Sequence, residues 1–229
     1  MDEIPQHVRA LREGDDASKR KAALAFADLA VQRNDLRVAI AEAGGIPPLV
    51  ELLRDRCEEA KQLAAKALFW LTYKNQNNKV LIAEAGAIPL LVELLRDGSA
   101  EAKQLATEVL FWLAYTNPNY QVLIAEAGAI VSLLELLRVG DVVAKSSAGR
   151  TLRMLTYNND ANAVAIAVAI GLEALVQLAR HGRVISKEEW LVSNAGLKRK
   201  AASVVAALLG DCVPDSIPRV IMAVIGSYL

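Results

Sequence analysis

A stretch of fourteen residues recurs along this chain at a constant interval. AEAGGIPPLVELLR occupies 41–54, AEAGAIPLLVELLR 83–96, AEAGAIVSLLELLR 125–138, and the worn copy AVAIGLEALVQLAR 167–180, each 42 residues after the last. A fixed period of this length marks a solenoid, because one unit is too small to bury its apolar face alone and buries it against its neighbours. Function is therefore expected on a long shared surface rather than in a pocket.

Composition narrows the class. A hydrophobic content of 54% in 229 residues, rich in Ala and Leu and sparing in Gly and Pro, fits an all-helical protein with no disordered stretch and no need of a cofactor. The 26 Lys and Arg balance 26 Asp and Glu, so the overall field gives no reason to expect nucleic acid or an acidic membrane as main partner. The opening MDEIPQHVRALREGDD lacks the basic and apolar regions of a signal peptide. The most apolar run, 161–170, is too short to span a bilayer before Glu173 interrupts it. Cys57 and Cys212 stand far apart, which argues against a disulfide framework and for a reducing compartment. The expectation is a soluble protein of the cytoplasm, extending to the nucleus, with no membrane insertion.

One unit shows the local logic. IPPLVELLRDR places Ile46, Leu49, Val50, Leu52 and Leu53 on one stripe, with Pro47 at a helix start where its missing N–H costs nothing, and predicts a helix of about ten residues. EEAKQLAAKALFWLTYKN predicts a longer helix with Ala60, Ala64, Ala67, Leu68 and Leu71 on one side, small residues that let helices pack closely. In NQNNKVLIAEAG, Asn suits a cap, a short helix runs through Val80 to Ala83, and Gly86 takes the left-handed conformation that ends it.

Short, medium and long helices in a period of 42, with the corner string AGAIPLLVELL, resemble the armadillo repeat over nearly the whole chain. The resemblance implies an all-α fold, a right-handed α-solenoid of three-helix repeats, or alpha-alpha superhelix. Ile4-Pro5, Ile46-Pro47, Ile88-Pro89, Ile130 and Leu172 keep the 42-residue spacing, and Ile217-Pro218 opens a last helix. The expected organisation is a single domain over 1–229, with units near 1–45, 46–87, 88–129, 130–171 and 172–211 and a closing helix at 215–229. KRKAASVVAALLG from Lys198 copies KRKAALAFADLAV from Lys19 but comes 11 residues late, so an insertion falls near 182–196. HEAT repeats, with two helices and a similar period, are the alternative fold, although they usually lack the Gly-Ala-Ile-Pro corner.

The resemblance also implies that the long third helices line a concave groove. Helical geometry independently sets Gln62, Lys66, Trp70 and Tyr73 on the side opposite the Ala64, Leu68 and Leu71 stripe, at about 100° per residue. One period on stand Gln104, Glu108, Trp112 and Tyr115, and then Ser146, Arg150, Met154 and Tyr157. The candidate partner-binding residues are thus Lys66, Trp70, Tyr73, Glu108, Trp112, Tyr115, Arg150, Met154 and Tyr157. Two readings of Trp70 and Trp112 stand side by side: rings that fill space between adjacent long helices, and rings that anchor a ligand, in residue types favoured at interface hot spots. Phe69 and Phe111 are assigned to packing between units.

Importin-alpha-like arrays hold basic peptides with a Trp and, four residues later, an Asn on each third helix. Here the Trp positions hold Leu24, Lys66, Glu108 and Arg150, and the Asn positions Asp28, Trp70, Trp112 and Met154, so that pattern is not matched. Catenin-like arrays that grip acidic peptides carry many Lys and Arg in the groove, whereas Lys66, Glu108 and Arg150 alternate in sign, and a mixed apolar and polar ligand fits better. Lys19, Lys61, Lys103 and Lys145, with Lys198, form a second register, read as solvated helix ends or as a rim favouring an acidic stretch. Asn75, Asn117 and Asn159 are assigned to helix ends.

Catalytic chemistry finds no support. His7 and His181 are isolated, neither Cys has a His or second Cys at metal-ligand spacing, and no phosphate-cradling loop or Ser nucleophile turn occurs. The expectation is a non-catalytic interaction module, without metal or cofactor, that binds an extended segment of a partner protein. The alternative is the substrate-targeting arm of a larger assembly such as a ubiquitin ligase, or a nuclear-transport adaptor with altered specificity. The last helix, IPRVIMAVIGSYL, is apolar enough to suggest self-association or, in a longer parent chain, a further unit that covers Val220 and Val224.

Overall fold

The computed structural model describes residues 3–169 apart from 116, 164, 167 and 168. The fifth unit, the insertion near 182–196, Lys198 and the closing helix with its proposed self-association lie outside the described residues. Eleven helices are described: α1 Ile4–Glu13, α2 Asp16–Gln32, α3 Asn34–Glu42, α4 Ile46–Leu52, α5 Glu58–Thr72, α6 Gln76–Glu84, α7 Ala87–Asp97, α8 Ala100–Ala114, α9 Pro118–Glu126, α10 Ala129–Val139 and α11 Val142–Thr156. The chain divides into two compact bodies, 1–154 and 155–229. The first holds α1 to α10 and residues 142–154 of α11.

Each repeat runs short helix (α3, α6, α9), medium helix (α4, α7, α10) and long helix (α5, α8, α11), with α1 and α2 supplying the medium and long helices of an incomplete first repeat. The corner between short and medium helices needs a left-handed residue. Gly44, Gly86 and Gly128 supply it at φ 76°, 79° and 90°, which a side chain would disfavour. Each short helix begins on an Asn cap where the sequence has one. Asn75 Oδ1 accepts from the backbone N–H of Asn78 (3.1 Å) and Asn117 Oδ1 from that of Asn119 (2.9 Å), while in the second body Asn159 Oδ1 accepts from Asn162 (3.0 Å).

Two boundaries differ from the sequence expectation. α4 stops at Leu52, at 7 residues rather than about ten, because the chain tightens: Leu53, Arg54 and Asp55 donate to carbonyls three residues back, and Asp55 Oδ1 then accepts from Cys57 N at 2.8 Å. α6 is longer than Val80 to Ala83, spanning Gln76–Glu84, since the Asn75 cap starts the helix before its first apolar residue.

Consecutive long helices pack along each other, α2 on α5 and α5 on α8, with the medium helices behind them. One deeply buried position of the long helix holds alanine in each described repeat, and Ala22, Ala64, Ala106 and Ala148 retain at most 1% exposure. One turn on, Phe26, Leu68, Leu110 and Leu152 are fully buried. Burying a side chain of this size contributes about 1.5–3 kcal/mol, and repetition multiplies it. α1 buries Ile4, Val8 and Leu11 and exposes Gln6, Arg9, Arg12 and Glu13, a polar outer face. His7 meets the Phe26 ring edge-on at 5.8 Å.

These corners and stripes make two substitutions informative. Gly86→Ala forces a Cβ into left-handed backbone and should lower stability by about 1 kcal/mol. Gly149 in α11 lies where an added Cβ would meet Leu137 at an ordinary 3.7 Å, so Gly149→Ala should raise stability by about 0.5–1 kcal/mol through helix propensity. Urea unfolding of the two variants beside the parent checks both signs.

Candidate interaction surface

The long helices end in aromatic residues, and the packing of α5 on α8 joins them into one cluster. Trp70 meets Tyr73 at 6.1 Å between ring centroids. Tyr73 crosses to Trp112 of the next repeat at 5.7 Å and 89°, and Trp112 meets Tyr115 at 6.0 Å. Phe69 adjoins Trp70 at 4.9 Å and Phe111 adjoins Trp112 at 5.3 Å. Trp70, Tyr73 and Trp112 are half-buried and Tyr115 is 58% exposed. Each ring is thus held from the side and still presents surface to solvent, so packing and display occur together.

Cations cover three of these rings, Tyr73, Trp112 and Phe111. The Arg37 guanidinium lies 5.3 Å from the Tyr73 centroid and Lys74 Nζ 5.4 Å from it. Lys79 Nζ lies 5.3 Å from the Trp112 centroid, and the Arg150 guanidinium 4.8 Å from that of Phe111. Lys74 is held at φ 53°, a left-handed position uncommon outside Gly and Asn, immediately past the end of α5. Lys79 is 5% exposed, and burial pushes its ammonium below the usual lysine range.

Arg37 and Lys79 did not stand out in the sequence, yet they occupy one register with Gln121 at intervals of 42. Arg37 is 6% exposed and donates from Nε to Ala30 O (2.6 Å) and from Nη1 to Tyr73 O (3.0 Å). Asn78 answers from the next repeat, donating from Nδ2 to Arg37 O and to Leu71 O, both at 3.1 Å. The two side chains stitch adjacent repeats together at the ends of the long helices, and two of the four bonds satisfy carbonyls, Ala30 O and Leu71 O, that a helix terminus leaves without partners. Gln121 repeats half of the device, donating to Ala114 O at 3.3 Å. The available signal was a long polar residue returning every 42 positions just before the apolar end of each short helix, at Arg37, Lys79 and Gln121.

The charged candidates behave differently from an alternating row. Glu108 on α8 receives Arg150 of α11, whose Nη2 lies 2.6 and 2.8 Å from its two carboxylate oxygens, and Ser147 Oγ donates to it at 2.7 Å. With the Glu108 side chain at 18% exposure, its charge is spent within the protein. Lys66, on α5, is half-buried, and Met154 is half-buried at the end of the first body. Tyr157, 60% exposed, belongs to the second body and is described apart from the ladder. In the lysine register Lys61 pairs with Glu58 at 3.7 Å, and Lys145 is exposed.

Among the described residues no group of three His, Cys, Asp or Glu is placed to hold a metal ion, and no helix is long and apolar enough to cross a membrane. A cleft of about 580 Å³ opens beside α1 and α4, lined by Leu11, Arg12, Lys19, Pro47 and Glu51 among others, none of them on the aromatic ladder.

With this geometry in place, comparison with known proteins is informative. Residues 33–69 and 75–111 match the armadillo/beta-catenin-like repeat family. No curated protein matches the sequence. Among solved structures, the chain resembles an engineered protein at 26% identity and a TM-score of 0.74, over 99% of this chain and 86% of that one. It also resembles a designed armadillo repeat protein in complex with peptide (KR)4, at 25% identity and a TM-score of 0.70, over 92% and 82% of the two chains. The armadillo repeats only protein from Plasmodium falciparum shares the fold at 19% identity and a TM-score of 0.64, over 83% and 80%. The segments 33–69 and 75–111 are thus armadillo/beta-catenin-like repeats, and the described residues form an all-helical α-solenoid like these structures.

The Arg37 stitch carries a clear expectation. Arg37→Leu removes donors to two carbonyls at a buried site and should cost about 2–4 kcal/mol, much more than a typical surface substitution. Denaturant midpoints with the slope monitored would detect it.

Proposed function

We propose that this chain is a non-catalytic protein-interaction module of the cytoplasm, extending to the nucleus, which holds an extended segment of a partner protein in the groove along its long helices. Trp70, Tyr73, Trp112 and Tyr115 are the anchors, with Lys66 on α5 and Met154 further along the array, and Tyr157 is a further candidate on the second body. The Glu108–Arg150 pair shapes the floor between α8 and α11 rather than reaching for the ligand. The observation that carries this reading is the continuous aromatic ladder from Trp70 to Tyr115, buried enough to be rigid and exposed enough to touch a ligand. Rigid aromatic rings bury large area at low entropic cost, which is why they concentrate at interface hot spots. A related designed armadillo protein, in complex with peptide (KR)4, supports the use of such an array for peptide binding.

Replacing Trp70 and Trp112 together by Ala should weaken binding of a captured partner segment by at least about 2 kcal/mol while moderately lowering stability. Affinity and unfolding midpoint are measured on the same protein. Unchanged affinity with a large stability loss would reduce the rings to packing.

A further inference from the structure

Three rings of the aromatic cluster, Tyr73, Trp112 and Phe111, are already engaged with cations, and that bears on what the ladder can accept. Tyr73 carries Arg37 and Lys74, Trp112 carries Lys79, and Phe111 carries Arg150. A ring attracts a cation through its electron-rich face. With a positive charge already about 5 Å from its centre, the same ring repels a second cation, and at the low effective dielectric of a part-buried site this repulsion is not screened away. The carboxylate of Glu108 on α8 is paired with Arg150 and accepts from Ser147, so it does not compensate Lys66 on α5, Lys74 past its end or Lys79 on α6. Lys79 is the sharpest case: at 5% exposure its ammonium rests on the Trp112 ring and forms no ion pair among the described residues.

We infer that the ladder selects a partner segment in which acidic side chains alternate with aliphatic or aromatic ones, the apolar groups seating on Trp70, Trp112 and Tyr115 and the carboxylates meeting the field of Lys66, Lys74 and Lys79. This rests on the groove reading above and adds the chemistry of the ligand. Single-stranded nucleic acid would also meet positive charge, but the rings stand edge-to-face at 73°, 89° and 69° and carry cations, so they form no parallel platform on which successive bases could stack.

The test uses the full chain and four fluorescein-labelled probes: peptides of equal length alternating Leu with Asp, with Gln or with Lys, and a single-stranded oligonucleotide of thymidines. Anisotropy should rank Asp above Gln above Lys, with roughly tenfold between the first and last at low salt and a smaller gap at high salt. Lys79→Met keeps the apolar stem and removes a buried charge, so its thermal midpoint should be unchanged or higher while the Asp-over-Gln preference shrinks several-fold; Lys79→Arg should keep the preference. Lys74→Asn, which tolerates the left-handed backbone, should shrink it as well. An Asp peptide that binds no better than the Gln peptide, a preference indifferent to both charge-removing variants, or tighter binding of the oligonucleotide would each overturn the inference. If the Gln peptide binds and is lost on replacing Trp70 and Trp112 while Asp confers no advantage, the groove survives and only the acidic preference falls. If no probe depends on those two rings, both readings fall together.

Discussion

How near one long helix can come to the next governs the rest of the described structure. Alanine at 22, 64, 106 and 148 removes the bulk that would hold α2, α5, α8 and α11 apart, so each helix backs onto its neighbour with Phe26, Leu68, Leu110 and Leu152 filling the space one turn on. Close-packed interiors tolerate little change in volume, so a larger side chain in this row would displace every helix that follows it. Because each repeat touches mainly its neighbours, the effect of such a change accumulates along the array.

The same approach creates the interaction surface. Tyr73 at the end of α5 can reach Trp112 of α8 only because the helices lie close and in register. The ring contact in turn depends on Arg37 and Asn78, which bond across the repeat boundary to Tyr73 O and to Arg37 O and fix the ends of the long helices. Stability and display are therefore coupled: the residues that bind one repeat to the next also orient the rings and place positive charge over them. Buried polar side chains are costly unless satisfied, and here Arg37 and Asn78 use donors on Ala30 O and Leu71 O, carbonyls that the ends of α2 and α5 leave open.

The armadillo architecture was legible because its signals are local and repeated. A glycine at each corner, a proline after isoleucine, an alanine and leucine stripe and an Asn cap each have a physical cause that acts within a few residues, and three copies made every signal unmistakable. The early end of α4 was not legible, since a helix that finishes in a tighter turn keeps the same apolar pattern as one that continues. The charge pattern was only half legible. Lys66, Glu108 and Arg150 read as alternating charges along a line, but sequence spacing gives no distance between helices, and the structure joins two of them into a pair.

By itself, the sequence determined the period, the three-helix repeat, the apolar stripes and the line of aromatic residues opposite them, because helical periodicity maps directly onto position along a chain. Only the tertiary structure decided that Trp112 is shared between repeats, that Arg37 and Lys79 lie against the rings, and that Glu108 turns inward to Arg150. Those facts concern residues some forty positions apart, brought together by one helix packing on the next, and no pattern confined to a single helix contains that distance.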